Sequence, residues 1–70
     1  MHLTKQYQQA EAMQRRAIRA DPSLVRARDN LARTLAARGK KAEAITELEK
    51  AIELAPRNRA LRRQLKRLTP

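Results

Sequence analysis

The chain has 70 residues, no cysteine, and 17 Lys and Arg against 7 Asp and Glu, for a net charge of +10. This length allows one small domain with a thin core. The lack of cysteine rules out a disulfide framework or a thiolate metal site, and no run of about 18 apolar residues exists to span a membrane. The charge speaks to solubility and to acidic partners, not to the fold.

Ala, Leu, Arg, Lys, Gln and Glu dominate, and these are the better helix formers. The single Gly and three Pro are well separated and read as punctuation. Tyr7 is the lone aromatic residue, so a sheet has little to be built from. The segment Met1-His2-Leu3-Thr4-Lys5-Gln6 has no apolar signal core, so no secretory leader is expected and the cytoplasm is the default compartment.

In chain order, a first helix is expected from about Thr4 to Ala20, with Thr4 as N-cap. Asp21-Pro22-Ser23 breaks it, because a residue preceding proline avoids the helical region. Ser23 then caps a second helix from about Leu24 to Arg38, which Gly39 ends in the left-handed conformation. A third helix runs from about Lys41 to Leu54 and stops before Pro56. Asn58 caps a fourth, from about Arg59 to Leu68.

Apolar residues recur at helical spacing along these segments. They are Leu24, Leu31 and Leu35 on the second, Ala44, Ile45, Leu48, Ala51 and Ile52 on the third, and Leu61, Leu65 and Leu68 on the fourth. The linkers span only a few residues, so neighbouring helices must pack as antiparallel hairpins. Ala32, Ala44 and Ala51 lack bulk and let helix axes approach closely.

Shifted by 34 residues, the chain matches itself at Ala10 and Ala44, Ala17 and Ala51, Ile18 and Ile52, and Pro22 and Pro56. Arg28 and Arg62, Leu31 and Leu65, and Arg33 and Arg67 also coincide. Leu31-Ala32-x2-Leu35, Ala44-x3-Leu48 and the closing Pro56 follow the tetratricopeptide signature L-G-x2-Y, A-x3-F and P with conservative changes of size. Gly39 falls at that family's hairpin turn and Ala51 at its second small packing site. The chain thus resembles a tetratricopeptide repeat protein. It departs from the pattern at Arg28, where the family often has Trp, and at Gln14, where the earlier copy should carry a large aromatic residue.

The resemblance implies an all-α fold of antiparallel helical hairpins, a right-handed solenoid fragment of about four helices forming a single domain over residues 1–70. One complete repeat would span about 25–58. Residues 4–20 would be the second helix of a preceding repeat, and 59–68 a following or terminal helix. It also implies a concave face formed by the first helix of each hairpin. That face would present Arg26, Asp29, Arg33 and Ala37, then Arg63 and Arg67. Arg33 and Arg67, one period apart, would form a ladder suited to carboxylates. Asn30 is similar to an Asn with which some family members clamp acidic chaperone tails.

Catalysis finds little support among the residues. His2 is the lone histidine and is expected in a frayed terminus. Ser23 has no base and Tyr7 reads as a packing residue. Glu43 with Glu47, and Glu49 with Glu53, lie four apart, but they read as an exposed acidic face flanked by Lys50 and Arg57 rather than a metal or acid–base site. No enzyme activity, cofactor or metal is expected. The basic stretch Arg57–Arg67 has no acid. It reads first as a solvated end cap, then as a nucleic-acid surface without stacking aromatics, and last as a contact for anionic membrane.

The resulting expectation is a protein-interaction scaffold for an acidic or extended peptide or a helical partner. A basic nucleic-acid-binding domain comes second and a self-association module third. Tyr7, Ala10, Met13, Ala17 and Ile18 give the first helix more apolar surface than one stripe needs, and the fourth offers Leu61, Leu65 and Leu68. Weak homodimerisation promoted by salt is therefore also expected, because the charge opposes it at low salt.

Overall fold

A computed structural model describes the backbone of residues 2–70 and the side chains of residues 6–70. Four helices follow one another: α1 (His2–Ala20), α2 (Val25–Ala37), α3 (Lys41–Leu54) and α4 (Arg59–Leu68), with no strand among the described residues. The first begins at His2, so Thr4 lies inside it and is not its cap. The Thr4 side chain and that of His2 are outside the described residues.

The breakers act where the sequence places them. Asp21-Pro22-Ser23-Leu24 closes as a turn, with the Leu24 N–H donating to the Asp21 carbonyl at 3.1 Å. Ser23 does not cap α2. Its hydroxyl and backbone N–H both donate to Asp21 Oδ1, at 2.6 and 3.1 Å. These bonds hold the Asp21 carboxyl below its ordinary range. An aspartate two residues upstream has outcompeted the helix end for the serine. Leu24 is left as a cap residue with no side-chain bond. One period later the same turn recurs, with the Asn58 N–H donating to the Ala55 carbonyl at 3.0 Å. There Asn58 Oδ1 does cap, accepting from Ala60 N at 3.1 Å and Leu61 N at 3.3 Å.

Between α2 and α3, Gly39 has a φ of +81°. Its N–H donates to the Ala36 carbonyl at 3.0 Å, and the Lys40 N–H to the Leu35 carbonyl at 2.8 Å. This bond pair defines a Schellman motif, which needs a left-handed residue and so favours glycine. It turns the chain within three residues and lays α3 antiparallel to α2.

The molecule measures 37 × 31 × 16 Å. Its short dimension suits two helix layers, whose axes lie about 8–10 Å apart. The core is the α2–α3 interface together with one residue of α4: Leu31, Ala32, Leu35, Ala44, Leu48, Ala51 and Leu61. The small residues bring the backbones together and the leucines fill the space between them. Ile18, Val25, Ile52, Leu65 and Leu68 pack around this cluster half-buried. Burying a leucine fully is worth about 1.5–3 kcal/mol, and Leu31, Leu35, Leu48 and Leu61 are buried in full.

Candidate functional site

On α4, Arg63 and Arg67 lie four residues apart and so share a face. That face looks toward the second half of α2. Arg33, Arg63 and Arg67 line one cavity of about 390 Å³ with Ala60 and Gln64, and no carboxylate among the described residues lines it. The ladder expected from the period is therefore brought together. Arg33 is steadied by Asp29, whose Oδ1 lies 3.4 Å from its Nε. This is an ion pair rather than an aligned hydrogen bond, because that buried oxygen accepts none among the described residues. Asp29 therefore holds Arg33 within the chain. Neither Arg63 nor Arg67 forms an ion pair among the described residues. Their planar donor forks are open to a carboxylate or phosphate.

Arg26 and Asn30 lie on the same stripe of α2 but nearer its start, and they belong elsewhere. They line a groove of about 610 Å³ between α1 and α2, with Met13, Gln14, Ala17, Leu24 and Ala27. The candidate face thus divides into a basic pocket against α4 and a mainly apolar groove against α1. Gln64 and Leu24 were not among the residues expected to form a binding face. The period offered a signal for Gln64, which corresponds to Asn30, and none for Leu24, whose counterpart Asn58 caps a helix.

The acidic face expected on α3 needs correction. Glu43, Glu49 and Glu53 are exposed, but Glu47 is not. Its Oε1 accepts from Arg28 Nη1 at 3.1 Å, with side chains only 14% and 12% exposed for Arg28 and Glu47. Arg28 Nε also donates to the Pro22 carbonyl at 3.1 Å. At the position where the resembled repeats often carry Trp, an arginine ties the first turn to α3 by polar bonds. Among the described residues, no group of three or more His, Cys, Asp or Glu could hold a metal.

A second cross-helix pair joins α1 to the end of α2. Arg38 Nη1 donates to Glu11 Oε1, and Arg15 Nε to Glu11 Oε2 at 3.2 Å. Burial pushes the Glu11 carboxyl up, but the bonds from Arg38 and Arg15, aided by the charges of Lys40 and Arg15, outweigh it and leave the group below its ordinary 4.5. A carboxyl whose pKa is depressed by folding stabilises the fold above its unfolded value, and that contribution is lost as pH falls through the folded value. The thermal midpoint of wild type should therefore exceed that of Glu11→Gln at neutral pH, with the gap closing below pH 4.5. A gap that stays constant down through that range would show that the Glu11 pair is not coupled to folding.

Two models of the tetratricopeptide repeat match the chain, one over residues 25–58 and the other over residues 2–24. No curated protein and no solved structure gives a significant match. No helix among the described residues is long and apolar enough to cross a membrane. The two repeat matches agree with the four helices, the Pro22 and Pro56 turns and the hairpin at Gly39. The chain belongs to the tetratricopeptide repeat family, whose members are typically non-catalytic scaffolds for protein–protein interaction.

Proposed function

We propose that this chain binds an acidic or extended peptide, and that the pocket of Arg33, Arg63 and Arg67 receives its carboxylates. The observation carrying this reading is the convergence of three guanidinium groups on one cavity with no acidic residue, among those described, in its lining. Carboxylates paired bidentately with arginine form strong, directional hydrogen bonds. On this reading the complete repeat is 25–58, flanked by α1 as the second half of one repeat and α4 as a following or terminal helix. Leu31, Ala32, Leu35, Gly39, Ala44, Leu48, Ala51 and Pro56 serve structure, and the site works by binding, not catalysis.

The test is a fluorescence titration with a Glu-rich peptide and its Gln counterpart. A hydrogen bond to a charged group is worth about 1.5–3 kcal/mol. Arg63→Ala with Arg67→Ala should therefore weaken the acidic peptide about tenfold or more. Equal affinity for the Gln peptide, or no loss in the double variant, would reject the site.

Nucleic acid is the second reading, favoured by Arg59, Arg62, Arg63, Lys66 and Arg67 all lying on α4. That helix offers no aromatic residue for base stacking. Binding to an oligonucleotide should accordingly be weak at physiological salt and indifferent to base sequence. Tight binding that persists at high salt and discriminates between sequences would promote this reading above the first.

A further inference from the structure

The groove between α1 and α2 holds two of the three large apolar side chains that are exposed among the described residues. Met13 is 69% exposed and Leu24 41%. The chain's own period indicates what kind of element fits there. Shifted by 34 residues, Gln14, Ala17 and Ala27 correspond to Leu48, Ala51 and Leu61. Those three are buried in the cluster that α2 completes with Leu31, Ala32 and Leu35. The downstream copy of the groove is thus filled by a helix presenting leucines four apart with an alanine between them. In that copy Arg28 of the filling helix meets Glu47. The upstream counterpart of Glu47 is Met13, so the matching position of an incoming helix should be apolar.

Charge decides where that helix comes from. Arg26 lines the groove, and exposed Arg16 lies one turn beyond Met13 on α1. No acidic residue among those described lines the groove. Among the described helices, a second copy of this chain offers α4 as the counterpart of α2. There Leu65 takes the place of Leu31, but the place of Leu35 falls to Thr69, beyond the helix end. That helix is also strongly basic and would meet Arg16 and Arg26 with like charge.

We infer that the α1–α2 groove docks an amphipathic helix of an acidic partner protein, in the pattern apolar-x2-Leu-Ala-x2-Leu. The interaction is separate from the arginine pocket and does not depend on it.

A synthetic helical peptide of about 15 residues carrying that pattern on a Glu-rich background tests this by fluorescence anisotropy. Met13→Gln and Leu24→Asn should each weaken it about tenfold, since each takes away apolar surface worth roughly one leucine contact. Leu24→Asn places at the start of α2 the residue that caps α4, so it should melt no lower than wild type. A loss of affinity in that variant is therefore not a loss of fold. With the arginine pocket removed by Arg63→Ala and Arg67→Ala, Met13→Gln and Leu24→Asn should each still weaken the peptide by the same factor, which separates the groove from the peptide pocket. The inference is overturned if both groove variants bind as wild type does. It is overturned equally if the peptide with Ala for Leu, or the same pattern on a Lys-rich background, binds as well. Sedimentation that shows the chain self-associating through the groove, with the dimer lost in Met13→Gln, would assign the surface to a second copy instead.

Discussion

Leu48→Ala should remove much of the chain's folding stability. Leu48 is fully buried and sits in the cluster that joins α2, α3 and α4. Truncation at such a site costs the transfer energy of the lost atoms and leaves a cavity, together about 2–5 kcal/mol. Native domains hold roughly 0.05–0.15 kcal/mol per residue, which for this length is about 4–10 kcal/mol. The upper end of the loss therefore meets the lower end of the reserve. The neighbours have little room to collapse into the gap, because Ala44 and Ala51 already hold the backbones close. Urea unfolding followed by circular dichroism should show a much lower midpoint or no cooperative transition. A shift worth less than about 1 kcal/mol would place the core elsewhere.

Ala51→Leu should destabilise by overpacking, while the same change at Ala17, its counterpart one period earlier, should be tolerated. Ala51 is fully buried on α3 against α2, and added methylenes there force backbone shifts costing about 1–3 kcal/mol. Ala17 is half-buried and lines the open groove of about 610 Å³, so a leucine can extend into free space. Its expected effect stays within about 0.5 kcal/mol. Thermal midpoints of the two variants decide the matter. Equal losses at both positions would mean that α1 is packed as tightly as α3. The comparison also bears on the groove, since a leucine at Ala17 should obstruct a docking helix without unfolding the chain.

The sequence by itself determined where the helices begin and end, to within a residue or two. Pro22, Gly39, Pro56 and Asn58 act through backbone geometry and bonds spanning a few residues, and such effects are visible locally. Helical spacing also marked Leu31, Leu35, Ala44, Leu48 and Ala51 for the core, and the structure buries all of them. Ser23 misled because Asp21 and the start of α2 compete for the same side chain, and residue types alone do not decide that competition. Only tertiary structure decided which charged residues face which neighbours. It turned Glu47 from the acidic face toward Arg28, and drew Arg33 to Arg63 and Arg67 while Arg26 and Asn30 went to the groove. Helical periodicity fixes which residues share a stripe. What covers each part of that stripe depends on where the adjoining helices cross it, and those crossings are set by packing between residues far apart in the chain.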